Sequence, residues 1–406
     1  MPRSSSPAHS KSPATRLVRW LVFRLVRLFY SNIEVRGRTH VPRTGPTLFV
    51  LNHPNGLLDP LLLMIGLDRP VLFLAKSTFF GNPIGRWLMD AFGALPVYRK
   101  RDEGKWGGPQ GDAPQRNEET FARCRSLLHR GAAMALFPEG TTHSGAQLLP
   151  LRTGAARIAL SAEAEAEGSL EMRIVPVGLW YEDKTRFRTS VLLVVGEPFT
   201  LDGHVEAYAS DERSAVKAVT DRIDTGLDVV VLQAENADLL TAIPAVAAWT
   251  VPDGTVPDRA RHHAWAATLL SAYQKLHHTD PARLEDIARK ARRYAALLQT
   301  LGIADPWSLE VPVARRGKLV RHLLMLGMTA LPALAGALLS YGPYRLAGPV
   351  ATYAVRGDDT QTGTFKLIGG SLFVLIGWMA EAAVCGYLLG WPWGVLLIVA
   401  APLLGY

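Results

Sequence analysis

The sequence predicts an α/β fold in which a mixed, mostly parallel sheet is flanked by helices, with a helical insert and C-terminal transmembrane helices after it. Between residues 33 and 202, short apolar runs alternate with helix-like segments, which is typical of strands and crossover helices around a parallel sheet. Residues 203–320 instead carry charged helical patterns, and residues 321–406 are strongly apolar. With a basic N-terminal segment at residues 1–32, the chain divides into four predicted parts.

Composition narrows the class of protein. The 406 residues are 48% hydrophobic and only 20% charged, which excludes a disordered chain and favours membrane association. The two cysteines, Cys124 and Cys385, are too few for a disulfide framework or a zinc cluster. A net charge of +8 suits either nucleic acid or anionic lipid, and the apolar C-terminal part favours lipid and argues against nucleic acid as a partner.

The basic N-terminal segment predicts an amphipathic helix. On a helix over residues 16–30, the four arginines fall within an arc of about 140° and leave the remaining surface apolar. Its length of about 22 Å is short of a bilayer core of about 30 Å. Two interpretations follow: an interfacial helix on anionic membrane lipid, which Trp20 and Phe23 favour, or a helix packed on the next domain with solvated arginines.

The elements of the α/β part and the insert can be placed on the chain. Five apolar runs are predicted strands: Thr47–Leu51, Val71–Ala75, Ala132–Phe137, Ile174–Gly178 and Val191–Val195. Three helix-like segments alternate with them: Pro60–Gly66, Glu118–Arg130 and Gly154–Ala166. Residues 102–117 are rich in glycine and proline at their start and predict a loop. The insert should form helices over Asp211–Gln233, Asp258–Lys275 and Pro281–Leu301.

The C-terminal part predicts two to three membrane spans. Leu323–Tyr344 carries no charge and is long enough for one span. Leu367–Tyr406 holds one charged residue, Glu381, which should face protein rather than lipid. Gly390–Gly394 divides this stretch into a long and a short span. The basic cluster before the first span is expected on the cytoplasmic side: Arg315, Arg316, Lys318 and Arg321.

A histidine and an aspartate after the first predicted strand indicate acid–base chemistry. His53 lies just beyond the strand, and Asp59 precedes Pro60 in the arrangement of an N-cap followed by proline at the first helical position. A turn over residues 54–56 would fold the chain back and bring the carboxylate to the imidazole. That contact fixes the tautomer and makes the other ring nitrogen a general base. The alternative is that Asp59 only caps the helix and His53 is a loop histidine.

Three further segments carry polar or basic residues at strand ends. A run of cations, residues 99–101, follows a short apolar run. Phe137-Pro-Glu-Gly-Thr141 continues with small and hydroxyl residues whose backbone amides could hold an anion. Ile174-Val-Pro-Val177 is a strand interrupted by proline. Together with the histidine and aspartate, the order and separation of these segments resemble the PlsC-like glycerolipid acyltransferases over about residues 30–200.

The chain departs from that family's pattern in two places. Five residues separate His53 from Asp59 where most members have four, and Thr142 stands where the pattern has arginine. These departures resemble the subgroup that contains fungal-type glycerol-3-phosphate acyltransferases, which also carry a long insert and C-terminal spans. The arginine of the third segment therefore cannot be carried over, whereas Arg99 matches the arginine of the second.

The resemblance implies a role for each matching residue. His53 would take a proton from the acceptor hydroxyl, and Asp59 would stabilise the imidazolium. Arg99 and the amides around residues 139–141 would bind the acceptor phosphate. Glu139 would repel a phosphate, so its expected task is to hold a cation or the backbone in place. The full predicted substrate-binding set is Asn52, Arg99, Arg101, Glu139, Gly140, Thr141 and Arg152.

The expected function is a membrane-bound O-acyltransferase that moves a fatty acyl group from acyl-CoA or acyl-ACP to glycerol 3-phosphate in phospholipid biosynthesis. No cofactor beyond these co-substrates and no metal are expected, since the adjacent histidines at 262–263 and 277–278 favour a solvated helix face. Two alternatives stay open: acyl transfer to lysophosphatidate or another lysophospholipid, and a non-catalytic membrane tether. The expected location is the inner membrane of the cell, multi-pass, with the catalytic domain on the cytoplasmic side.

Overall fold

The computed structural model describes residues 12–67, 69–99, 113–250, 259–303, 316–354 and 359–404. The chain forms two compact units, Met1–Leu240 and Thr241–Tyr406. Three cations singled out by the sequence, Lys100, Arg101 and Arg315, lie outside the described residues. Residues 102–112, most of the predicted loop, also lie outside them.

The first unit is built on a seven-stranded sheet. Its strands are β1 (Tyr30–Arg36), β2 (Thr47–Leu51), β3 (Val71–Lys76), β4 (Ala94–Val97), β5 (Ala133–Leu136), β6 (Arg173–Tyr181) and β7 (Thr189–Val195). Their spatial order is β1-β7-β6-β2-β5-β3-β4, and every neighbouring pair is parallel except β6 and β7. The predicted mixed, mostly parallel sheet is confirmed. All five predicted strands form, whereas β1 and β4 were not among them.

Helices cover the sheet of the first unit. They are α1 (Pro13–Phe29), α2 (Leu58–Gly66), α3 (Pro83–Ala91), α4 (Ala113–His129), α5 (Gly154–Glu165), α6 (His204–Ser210) and α7 (Glu212–Val230). The loop prediction over residues 113–117 is wrong, because α4 begins at Ala113. The glycine and proline content that suggested a loop is concentrated before residue 113, whereas the residues that follow Pro114 are good helix formers.

Helix α7 belongs to the α/β unit. Its apolar face joins the buried core with residues of β2 and β5: Val216, Val219, Ile223 and Leu227. The end of α7 approaches β6 so closely that a Cβ added at Gly178 would lie 1.9 Å from the carbonyl oxygen of Val230. Only glycine permits that approach. The sequence placed the start of the insert at residue 203, but the compact units divide after Leu240 because α7 completes this core.

Helix α1 packs on the same unit with one face. Val26 and Phe29 are buried, and Arg19 donates through Nη1 to the carbonyl oxygen of Ala91 at 3.2 Å. On another part of the helix, Leu17 and Trp20 are 63% and 55% exposed. The helix therefore packs on the domain, as the second interpretation expects, and also presents apolar side chains to its surroundings. Contact with lipid stays a prediction.

The second unit is helical and strongly apolar toward its end. It contains most of α8 (Ala237–Thr250), then α9 (Arg259–Thr279), α10 (Pro281–Thr300), α11 (Arg316–Ala354), α12 (Asp359–Leu389) and α13 (Trp391–Leu404). Two of its helical segments, Leu323–Tyr353 and Gln361–Leu389, are long and apolar enough to cross a membrane. Gly390 has a φ of +100° and separates α12 from α13, where the sequence predicted a break. Glu381 is half-buried within α12.

Of the paired histidines of α9, His277 and His278 are exposed, as the sequence predicted, whereas His262 is half-buried and His263 is buried. His263 is only 6% exposed, and a ring nitrogen of His262, Nε2, lies 2.6 Å from the carbonyl oxygen of Pro244 in α8. The predicted solvated face therefore holds for the second pair of histidines and not for the first.

Candidate active site

The site lies at the carboxyl edge of three neighbouring strands. β2 pairs in parallel with β5 on one side and β6 on the other, so the ends of all three strands meet at one edge. His53 follows β2, Glu139 follows β5, and Tyr181 is the last residue of β6. The fold thus brings together residues that are far apart in the chain.

His53 and Asp59 meet as the sequence predicted, through a turn rather than along one helix. Gly56 has a φ of +50°, and the amide of Leu58 donates to the carbonyl oxygen of Asn55 at 3.1 Å. Asp59 Oδ2 lies 2.8 Å from His53 Nδ1. The N-cap assignment is wrong, because Asp59 lies inside the first turn of α2. A proline next to it is tolerated there, since first-turn amides make no intrahelical bond.

The carboxylate of Asp59 is fully buried and satisfied by donors from three directions. Oδ2 also accepts from the backbone amide of Asn55 at 2.8 Å, and Oδ1 accepts a short hydrogen bond from the hydroxyl of Tyr181. Burial, followed by the charge of Asp59, raises the pKa of Tyr181 well above its usual range. The phenol therefore stays protonated and remains a donor. The three contacts leave the carboxylate one orientation, toward the imidazole.

Contacts at its ring face and at its backbone amide hold the imidazole of His53 in place. Its ring stacks on Phe137 with centroids 4.0 Å apart and planes 22° apart. Its backbone amide donates to Glu139 Oε1 at 3.0 Å, and its side chain is 18% exposed. With Nδ1 held by Asp59, Nε2 is the nitrogen that can exchange a proton with a bound substrate.

Glu139 links the turn that carries His53 to the loop that carries His143. Glu139 is only 2% exposed. Its Oε2 accepts from the amide of Leu149 at 3.0 Å and contacts Nε2 of His143 at short range. The amide of His143 in turn donates to the carbonyl oxygen of His53 at 3.2 Å. Glu139 thus holds backbone and a histidine in place, a task that the sequence also predicted for it beside its membership of the substrate-binding set.

The turn after β5 is tighter than the sequence suggested. Gly140 has a φ of +66°, and a Cβ at this position would lie 2.5 Å from Cδ and Nε of Arg152. The amide of Gly140 donates to the carbonyl oxygen of Phe137 at 2.9 Å. That amide is therefore engaged within the turn, and the expected cradle of amides over residues 139–141 loses one donor. Thr141 follows directly, and Arg152 lies over the turn as an exposed cation.

The remaining predicted residues lie in different environments. Asn52 exchanges two hydrogen bonds with the backbone of Leu179, at 3.1 and 2.7 Å. Its amide thus ties β2 to β6 and does not face a substrate, contrary to the sequence assignment. Arg99 follows β4, three positions from β2 in the sheet, which corresponds to about 14 Å at ordinary strand spacing. Arg101 lies outside the described residues.

Two side chains of this site were not predicted, Tyr181 and His143. A strand-end position was the one available signal for Tyr181, because polar groups at carboxyl ends of parallel strands line the site edge.

Elsewhere, burial raises the pKa of the Cys124 thiol to about 12, while the neighbouring arginines oppose the shift. This cysteine is structural rather than reactive. Within the part of the chain that the structure describes, no group of three or more His, Cys, Asp or Glu side chains is placed to hold a metal ion.

The fold and the site together define an α/β domain whose histidine–carboxylate base lies at the carboxyl edge of the sheet and can deprotonate a hydroxyl. Residues 32–180 match the family model described as Acyltransferase. The similarity to this family therefore concerns the α/β domain, over residues 32–180.

The chain is also similar to individual proteins. It is 28% identical to an uncharacterized acyltransferase of Schizosaccharomyces pombe over 86% of this chain and 63% of that protein. It is 26% identical to glycerol-3-phosphate O-acyltransferase 2 of Saccharomyces cerevisiae over 70% of this chain and 39% of that protein. A lyso-ornithine lipid O-acyltransferase of Pseudomonas aeruginosa is 34% identical over 33% of this chain and 44% of its own length. The chain thus spans less than two thirds of each of these relatives.

Proposed function

We propose that this protein is a membrane-bound O-acyltransferase that transfers a fatty acyl group from a thioester to the hydroxyl of glycerol 3-phosphate. The observation that carries the proposal is the contact of 2.8 Å between His53 Nδ1 and the buried carboxylate of Asp59. This pair lies in the part of the chain that matches the acyltransferase family model. A named glycerol-3-phosphate O-acyltransferase is similar to 70% of the chain, which supports this acceptor.

The reaction follows from the geometry of the pair. His53 Nε2 removes the proton from the acceptor hydroxyl as the oxygen attacks the thioester carbonyl carbon. The carbon–sulfur bond then breaks, and the proton passes from the imidazolium to the departing thiolate, so no acyl-enzyme is needed. Asp59 stabilises the imidazolium between these steps. Coenzyme A and acyl carrier protein are both suitable thiol carriers, and the reaction needs no further cofactor.

The membrane location is part of the proposal. Two described helices are long and apolar enough to cross a bilayer, and acyl chains partition into lipid. We place the catalytic unit on the cytoplasmic side of the inner membrane, the side that the excess of arginine and lysine before the first span in the sequence predicts. Helix α1 adds exposed apolar side chains beside its arginines, which suits the interface of the same leaflet.

A second acceptor class is supported by one specific observation. The lyso-ornithine lipid O-acyltransferase is 34% identical, over a shorter segment, and by its name its acceptor is a lyso-lipid, which already carries one acyl chain. A lysophospholipid, such as lysophosphatidate, would use the same base and the same thioester. It would differ in burying its own acyl chain, which contributes about 0.8 kcal/mol per methylene.

The test is a transfer assay with the full chain in detergent micelles. Acyl-CoA or acyl-ACP is supplied with glycerol 3-phosphate, lysophosphatidate or no acceptor, and the products are identified by mass spectrometry. Transfer to glycerol 3-phosphate with the higher kcat/KM is expected. Preference for lysophosphatidate would replace the acceptor, free fatty acid without acceptor would indicate a hydrolase, and no thioester consumption would indicate a membrane tether.

A further inference from the structure

His143 closes a cycle of three hydrogen bonds around the backbone of the base. The amide of His53 donates to Glu139 Oε1 at 3.0 Å, and Glu139 Oε2 accepts a short hydrogen bond from His143 Nε2. The amide of His143 donates in turn to the carbonyl oxygen of His53 at 3.2 Å. The hydrogen-bond cycle therefore holds both the amide and the carbonyl group of His53, and His143 contributes its side chain and its amide to it.

The contacts of His143 define which of its ring nitrogens carries the hydrogen. The amide of Gly145 donates to Nδ1 at 3.0 Å, so Nδ1 is the acceptor and Nε2 is the donor of the neutral imidazole. Nε2 then donates to the carboxylate of Glu139. Both ring nitrogens are engaged inside the protein, which suits a residue that holds other groups in place rather than a second base.

The carboxylate of Glu139 depends on His143 for one of its donors. Its other donors are the amides of His53 and Leu149, both at 3.0 Å. Because the side chain of Glu139 is 0% exposed, water does not readily replace a lost donor, and a buried acceptor without its partner is costly. Loss of the imidazole should therefore displace the carboxylate and, with it, the backbone of His53.

The hydrogen-bond cycle matters because His53 lies in a segment without regular structure. β2 ends at Leu51 and α2 begins at Leu58, so neither the sheet nor the helix holds the residue between them. Asp59 sets the direction of the imidazole through Nδ1. The position of Nε2 also depends on the backbone that carries the imidazole, and the hydrogen-bond cycle supplies that second constraint.

We propose that His143 is a positioning residue for the acyl transfer. Through Glu139 and through its own amide it fixes the backbone of His53, and so the place of Nε2 relative to the acceptor hydroxyl. This inference rests on the proposed function, since the base is the one that acts there. His143 contacts the base and takes no proton from the substrate, so it acts on the chemical step and leaves the binding of both substrates unchanged.

Two substitutions separate the two ring nitrogens of His143. In His143→Gln the side-chain nitrogen can take the place of Nε2 and donate to Glu139. In His143→Asn the side-chain oxygen can take the place of Nδ1 and accept from Gly145, but the shorter side chain does not reach Glu139. We expect kcat of His143→Asn to fall about 10- to 100-fold, since a misplacement of about 1 Å can cost about 10²-fold. The KM values for glycerol 3-phosphate and acyl-CoA should stay within about twofold, and His143→Gln should keep most of kcat.

The matched control is His129→Asn. His129 also pairs with a glutamate, Glu165, at 3.1 Å, but it ends α4 just before β5 begins and so lies at the amino edge of the sheet. Its kcat should equal that of the wild type. Equal losses in His143→Asn and His143→Gln, or a rise in either KM with an unchanged kcat, would overturn the positioning role.

A second variant breaks the same hydrogen bond from the other side. In Glu139→Gln the side-chain oxygen can still accept from the amide of His53, but its NH2 group faces the donor Nε2 of His143. This variant should lose kcat as His143→Asn does, and the double variant should lose no more than the larger single loss, because both changes open one cycle. Losses that multiply in the double variant would overturn the proposal.

Hydrogen exchange followed by mass spectrometry reads the hydrogen-bond cycle without any substrate. The full chain in detergent is used, and peptides that cover residues 52–57 and 139–149 are compared between variants. Faster exchange in both segments of His143→Asn, with the wild-type pattern in His143→Gln and in the control, is expected. Unchanged exchange over residues 52–57 in His143→Asn would overturn the role of His143 even in an active enzyme. A wild type that transfers no acyl group would overturn the proposed function, while the exchange pattern still decides whether His143 holds the backbone of His53.

Discussion

Replacement of Asp59 by asparagine isolates the charge of the carboxylate from its place in the fold. Asparagine has the same shape, and with its oxygen in the place of Oδ2 it can still accept from His53 Nδ1 and from the amide of Asn55. Its NH2 group then faces the hydroxyl oxygen of Tyr181, which can accept from it. The fold of the turn should therefore survive. The negative charge that faces His53 is lost, and with it the stabilisation of the imidazolium that forms as the acceptor hydroxyl is deprotonated.

The size of the effect follows from burial and distance. Asp59 is 0% exposed and its Oδ2 lies 2.8 Å from Nδ1 of His53. Opposite charges about 4 Å apart attract by about 4 kcal/mol at an effective dielectric constant of about 20. A loss of that size in the transition state lowers the rate by about 10³-fold. This value lies within the range of about 10²- to 10⁴-fold for general-base assistance.

The assay follows thiol release from acyl-CoA at saturating glycerol 3-phosphate. The control is Asp221→Asn on α7, where the aspartate is 61% exposed and pairs with Lys217; its kcat should equal that of the wild type. Thermal unfolding of each variant in detergent verifies that the fold is retained. An Asp59→Asn variant that folds and keeps more than about a tenth of the wild-type kcat, well short of the loss expected for general-base assistance, would refute the assigned role of the pair.

Three further outcomes are expected. His53→Ala should lower the turnover rate at least about 10²-fold while membrane association is retained. A smaller loss would contradict the assignment of His53 as the base. Because burial raises the pKa of Tyr30 and Tyr181 in the folded chain, the contribution of these two tyrosines to the free energy of unfolding should be constant below pH about 10 and fall above it. The slope is up to about 1.4 kcal/mol per pH unit for each tyrosine, and denaturant unfolding of Tyr181→Phe should show a shallower fall. Truncation before Leu323 should leave a protein held only by residues 16–30 and released by high salt; recovery of the full chain in a salt-washed soluble fraction would contradict the spans.

The parts of the fold that were predictable depend on local patterns. β2 was predicted with its observed bounds, Thr47–Leu51, since a short apolar run between turn residues is a local signal. β1 was not predicted, because only one of its seven residues, Tyr30, is buried and the other six are partly or fully exposed. α3 (Pro83–Ala91) was missed for a related reason, since it is short and keeps Ile84 and Trp87 exposed.

The difference between local and long-range contacts also explains which contacts of the site could be predicted from the sequence. The contact between His53 and Asp59 closes over six residues and requires only a turn, so spacing and turn chemistry are sufficient to predict it. The bond from Tyr181 to Asp59 joins residues 122 apart in the chain. The reach of Lys184 to Pro54 spans 130 residues. Both depend on the pairing of β2 with β6, which no local pattern specifies.

The base and the loops around it come from different segments of the chain, and this affects how the site could diversify. The base is encoded in one short segment after β2, and the buried contacts of Asp59 leave it little freedom. Other polar groups near this edge lie on separate loops, with Arg152 after β5 and Lys184 after β6. Loops at a sheet edge tolerate substitution better than buried turns do. Changes in these loops should therefore alter which acceptor is bound while the chemistry at His53 stays the same, and a change at Asp59 should impair transfer to every acceptor alike.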